Sequence, residues 1–69
     1  MPCVNVVLKN GVVIPVEGAN SAYWGYHTGG AASPAQAELL FVQLTVPNKV
    51  ETLANFKAGE IAGFVIDQR

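Results

Sequence analysis

Apolar and polar positions alternate along most of this chain, and the alternation predicts strands nearly from end to end. Val4-Asn5-Val6-Val7-Leu8-Lys9 and Val12-Val13-Ile14-Pro15-Val16 are rich in β-branched residues and flank Asn10-Gly11. An Asn-Gly pair between two such runs predicts a tight hairpin with positive φ at both central turn positions. Pro15 has no N–H to give a ladder, so the second strand is expected to have one side at a sheet edge or a bulge.

Glu17-Gly18-Ala19-Asn20 reads as a turn, and Ser21 to His27 as a third extended segment. In it Tyr23, Gly25 and His27 would share one face, and Trp24 and Tyr26 the other. Thr28 to Pro34 is loop by composition. Ser33-Pro34-Ala35-Gln36 has the form of a helix start, with an N-cap serine, a proline at the first position and a glutamine three residues on. This predicts one short helical turn near 33–38.

From Leu39 to Val46 the pattern is strand, with Leu40, Val42, Leu44 and Val46 on one side and Phe41, Gln43 and Thr45 on the other. Pro47-Asn48 supplies a turn. Val50 to Phe56 admits two readings. A strand turns Val50, Thr52, Ala54 and Phe56 inward, whereas a helix capped by Asn48 aligns Val50, Leu53 and Ala54; the preceding tight turn favours the strand. Lys57 to Glu60 turns the chain into a last strand, Ile61 to Ile66. The expected architecture is a single all-β domain spanning 1–69, a five- or six-stranded antiparallel meander or SH3-like barrel.

Two segments carry a resemblance. Val7-Leu8-Lys9-Asn10-Gly11, with Ala54-Asn55-Phe56-Lys57-Ala58-Gly59-Glu60-Ile61-Ala62-Gly63-Phe64, resembles short β-domain proteins of bacterial and phage genomes. The resemblance covers the two ends of the chain and implies a fold and a phage origin, not an activity.

Composition adds association to this picture. Hydrophobic residues make up 51% of the chain and charged ones 13%, about half the charge of an ordinary soluble domain. Apolar burial by a monomer of this size contributes on the order of 95 kcal/mol, and ordering the chain costs about 100 kcal/mol. The one cysteine, Cys3, allows no internal disulfide, and Cys3 with the one histidine, His27, lacks the paired spacing of a zinc site. Self-association is the remaining support, so a homo-oligomer is expected.

Charge removes several partners. A net charge of −1 with only Lys9, Lys49, Lys57 and Arg69 as cations offers no phosphate-binding stripe, so no nucleic acid is expected, nor an anionic membrane surface. The amino terminus has neither the basic nor the apolar region of a signal peptide, and an unpaired cysteine suits the cytoplasm. Cys3 reads as a small buried apolar residue, and Glu51 and Glu60 as solubilising charges. No cofactor or metal is expected.

The twenty residues from Gly18 to Ala37 carry no charge, yet hold the only Trp, both Tyr, the only His and four of the seven Gly. Long irregular segments of this kind in compact domains tend to be functional or disordered, and the Trp and Tyr argue against disorder. Tyr23, Trp24, Tyr26, His27, Gly29 and Gly30 are the candidate ligand- or partner-binding residues, with the aromatics as anchors and the glycines admitting close backbone approach. Trp24 and Tyr26 capping one end of the barrel is the structural alternative. The functional expectation is a non-catalytic oligomeric interaction module. A second reading is a small-ligand binder that sequesters nucleotides at subunit junctions, which would need Lys9, Lys49 or Arg69 beside the aromatics. A third, a small enzyme, would need a perturbed Glu beside His27 or Cys3.

Overall fold

The computed structural model describes residues 2–68, with side chains from 2 to 67; Arg69 therefore lies outside the described residues. Six strands form: β1 (Pro2–Leu8), β2 (Val13–Glu17), β3 (Ser21–Gly25), β4 (Leu39–Val46), β5 (Lys49–Lys57) and β6 (Ile61–Gln68). They make two three-stranded antiparallel sheets, ordered β2-β1-β6 and β3-β4-β5. The order is not a simple meander, because β6 returns to lie beside β1. No helix among the described residues is long and apolar enough to cross a membrane.

The β1–β2 hairpin forms where the sequence places it, but with a different turn. Gly11 donates to the Leu8 carbonyl at 2.9 Å and Leu8 donates to Val12 at 2.8 Å. Gly11 has φ of 91°, and no non-glycine residue among those described has positive φ. The loop is therefore the three-residue Lys9-Asn10-Gly11, a tight turn closed by a glycine bulge, and Asn10 is not in the left-handed region. Its side chain instead accepts from the Val12 N–H at 3.0 Å. Pro15 pairs with Asn5 on β2, an edge strand. The bonded pairs on either side of it are Leu8 with Val12 and Gly18 with Pro2, so the Pro15 nitrogen faces the free edge, where no donor is needed.

The sheets join at two crossings. Gly18, with φ of 88°, turns β2 into β3, and Asn20 then locks the corner. Its carboxamide donates to the Thr45 carbonyl and accepts from the Thr45 N–H, both at 2.8 Å. At the other crossing a single 3-10 turn, Ala58–Glu60, carries β5 into β6.

Two bulges set which side chains enter the core. Val42 pairs with Ala54 but Gln43 with Thr52, so Leu53 is an extra residue in β5. The phase flips there. Ala54 and Phe56 pack against the core, while Val50 and Thr52, expected inward, face out with Thr45 and Gln43. In β6 the extra residue is Ala62, which lets Ile61 and Phe64 reach the same interior although they are three apart. The core is Val4, Val6, Ala19, Leu40, Val42 and Ile61, flanked by Leu8, Val16, Trp24, Phe56 and Phe64. The exposed area, 4293 Å², is close to the roughly 4,200 Å² expected of a compact monomer of this mass.

Candidate functional site

The third extended segment ends two residues earlier than the alternation predicts, at Gly25. Beyond it the chain builds a second three-residue hairpin loop with the same bonding as the first. Gly29 donates to the Tyr26 carbonyl and Tyr26 to the Gly30 carbonyl, each at 2.8 Å, and Gly29 has φ of 103°. The returning arm bridges Gly25 to Ala31 and donates from Ala32 to the Trp24 carbonyl at 3.0 Å. Residues 30–32 thus lie along the otherwise free edge of β3. The helical turn expected near 33–38 is an isolated hydrogen-bonded turn: Gln36 and Ala37 both donate to the Ser33 carbonyl, and no helix follows. Two backbone bonds, from Glu38 to Gly25 and from Ala58 to the Glu38 carbonyl, return the chain to the sheet.

Tyr26, His27, Thr28, Gly29, Gly30 and Ala31 are all exposed, yet the loop is tied down by side chains as well as backbone. His27 donates its N–H to Glu38 Oε1 at 3.1 Å, and its ring Nδ1 lies 2.8 Å from the same oxygen. Tyr26 reaches Gln36 Oε1 at 3.4 Å. Tyr23 donates its hydroxyl to the Gly29 carbonyl at 3.1 Å. The side-chain bond from His27, followed by that from its backbone N–H, holds the Glu38 carboxyl below its ordinary range. The pair stays open to water, with His27 70% and Glu38 49% exposed.

The six candidate residues divide between two roles. Trp24 pairs with Leu40 on the inner face of β3 and meets Phe64 of the opposite sheet, ring centroids 6.1 Å apart. It is half-buried packing between the sheets. Tyr23 pairs with Phe41 on the outer face, where the rings stack at 4.9 Å and 19°. Both rings crowd Gly25. A Cβ there would lie 2.9 Å from Tyr23, 3.0 Å from Phe41 and 2.8 Å from the Gly30 carbonyl. Tyr26, His27, Gly29 and Gly30 remain together as the exposed loop.

Glu38 is the residue that sequence reasoning missed, although it is the charge that ends the uncharged run. A carboxylate whose affinity for protons is lowered does stand beside His27, the neighbour that the enzyme reading asks for. Cys3 is not in the core. It sits half-buried on the outer face of β1, its Sγ 3.7 Å from Asn5 Oδ1. Glu51 pairs with Leu44 near the β4–β5 turn, and Glu60 lies at the other end of the sheet in the 3-10 turn.

The cations are dispersed. Lys49 sits at the β4–β5 turn, within 3.6 Å of Glu51, at the end of the sheet opposite Gly25. Lys9 lines a shallow cleft with Leu8, Asn10, Gly59 and Glu60 that none of the candidate residues enters. Lys57 pairs with Leu39, which pairs in turn with Gly25.

Comparison with protein-family models, with curated proteins and with solved structures finds no match.

Proposed function

We propose that this protein is a non-catalytic interaction module that presents the fastened loop Tyr26–Gly30, with Tyr26 and His27 at its exposed surface, to a protein partner. One observation carries the reading. Thirteen residues between β3 and β4 are ordered by backbone and side-chain bonds yet add almost nothing to the core. Ordering a residue costs about 1–2 kcal/mol, and a pre-ordered exposed loop recovers that cost on binding, where less freedom remains to be lost. The surface projects outward, which suits a macromolecular partner better than a small ligand enclosed in a concave pocket.

The strand order supports an SH3-like barrel as the finer description. Followed through the Gly18–Asn20 corner it runs β6-β1-β2 and then β3-β4-β5, with a 3-10 turn before the last strand. Such small barrels host many unrelated binding functions, so the site, not the fold, carries the proposal. A cytoplasmic setting in a bacterium or phage goes with the resemblance of the two chain ends.

The test is site-specific photo-crosslinking in the source cell. A crosslinking residue at position 26 is expected to capture a recurring protein that excess unmodified protein competes away, while one at position 50, on β5, is not. Equal capture at both positions, or none at position 26, overturns the reading.

A further inference from the structure

Residues 18–37 carry no charge, and Glu38 brings to their exposed loop a carboxylate with one oxygen unclaimed. Oε1 accepts from the His27 N–H at 3.1 Å and lies 2.8 Å from His27 Nδ1. Both contacts are to the same oxygen, and together they fix the carboxylate in place. Oε2 receives no hydrogen bond and no cation among the described residues. Lys57 stands across Leu39 on β5 and makes no ion pair with it. Glu38 is nevertheless half open to water, and the His27 bonds keep it ionised to lower pH than an ordinary carboxylate.

An uncovered aromatic belongs to the same patch. Tyr26 precedes His27, and its hydroxyl reaches Gln36, two residues before Glu38, at 3.4 Å. Its ring runs alongside Gly30, where an added Cβ would lie 3.9 Å from Tyr26 Cδ2. Gly29 needs glycine for its φ of 103°, but Gly30 has no positive φ. The backbone at Gly30 therefore accepts any residue, and the effect of glycine there is to leave that side of the tyrosine ring open.

We infer that Tyr26, His27 and Glu38 form a seat for an arginine side chain of the partner protein. The inference rests on the reading of Tyr26–Gly30 as a partner-binding loop and names what that loop takes. A guanidinium is planar, with five N–H donors and no acceptor. Its face can lie on the Tyr26 ring beside Gly30 as a cation–π contact, while one edge donates to Glu38 Oε2. His27 adds an acceptor. With Nδ1 donating to Glu38, the neutral ring keeps Nε2 as an acceptor on a well-exposed side chain. A lysine ammonium would meet the carboxylate only as a strongly hydrated point charge and cannot lie flat on a ring.

Chemical-shift titration of the ¹⁵N-labelled chain at neutral pH tests this with two blocked tripeptides, acetyl-glycyl-arginyl-glycinamide and its citrulline counterpart. Citrulline keeps the planar shape and loses the charge. The arginine peptide is expected to move the Tyr26–Gly30 and Glu38 amides saturably in the millimolar range. The citrulline peptide is expected to bind at least about tenfold more weakly. Gly30→Val, which covers the ring, should weaken arginine binding by about fivefold or more with the strand amides unmoved. Should Gly30→Val disturb the loop, the comparison of the two peptides on the wild type decides alone. Equal affinity for the two peptides overturns the inference, as do arginine shifts that never saturate or full binding by Gly30→Val. A partner captured at position 26, with no preference for arginine over citrulline, would leave the proposed function standing and overturn this inference alone.

Discussion

Trp24 spans the two sheets to reach Phe64, the rings 6.1 Å apart and inclined by 52°. Among the described residues the fully buried side chains are valines, Leu40 and Ala19, so half-buried Trp24 adds a large ring to a core of small ones. Truncation of a core tryptophan costs about 3–5 kcal/mol, and Trp24 is half-buried. Trp24→Ala is therefore expected to lower stability by about 2–3 kcal/mol, and Trp24→Phe by less than half of that. The urea midpoint followed by circular dichroism measures both. An unchanged midpoint in Trp24→Ala would return this residue to the candidate binding surface.

Gly25 has no room for a side chain. The Gly30 carbonyl lies 2.8 Å from where a Cβ would stand, and Tyr23 and Phe41 close the space from the other sides. Gly25→Ala is expected to destabilise by about 1–3 kcal/mol and to detach the 30–32 arm. Gly59→Ala, where a Cβ meets nothing within 4 Å, is the control and should change stability by less than about 1 kcal/mol. Equal effects at the two positions would contradict this packing.

The first hairpin depends on one residue of its Asn-Gly pair. Gly11 alone has positive φ, so Gly11→Val should cost more than about 1 kcal/mol. Asn10→Ala loses a single exposed bond to the Val12 N–H and should cost about 0.5 kcal/mol. The reverse order of effects would restore the two-residue turn.

The His27–Glu38 latch gives the loop a pH dependence of defined sign. The folded Glu38 carboxyl titrates below its unfolded value, so the latch contributes fully above the ordinary carboxylate value, about 4.3. That contribution is lost as pH falls through the lowered folded value. Amide exchange at His27–Gly30 is expected to accelerate over that acidic window relative to the strands. In Glu38→Gln the same amides should show no such step; a step that persists in the variant would assign it to another group.

Strand placement was legible because β-branched residues alternate, and Leu40 and Val42 are buried as their pattern predicts. Faces were less legible wherever a bulge intervened. One unpaired residue, Leu53, reverses the side taken by Val50 and Thr52, and nothing in the local pattern marks it. The second hairpin was hidden for a different reason. Its returning arm, Gly30-Ala31-Ala32, has no β-branched residue and is held by backbone bonds to β3. The uncharged segment was visible as unusual, but which of its aromatics face out is set by the register of β3 on β4, which puts Trp24 opposite Leu40 and Tyr23 opposite Phe41. Glu38 carried no signal beyond its position at the end of that segment.

The proposed function rests on a loop that is exposed and ordered at once, and backbone ¹⁵N order parameters across Tyr26–Gly30 test that most directly. Values near those of the strands, about 0.85, are the expected result, falling in Glu38→Gln as the His27 bonds are weakened. Values below about 0.6 in the wild type would mean a loop without pre-organisation, and would contradict the proposal that it is a binding surface built in advance of its partner.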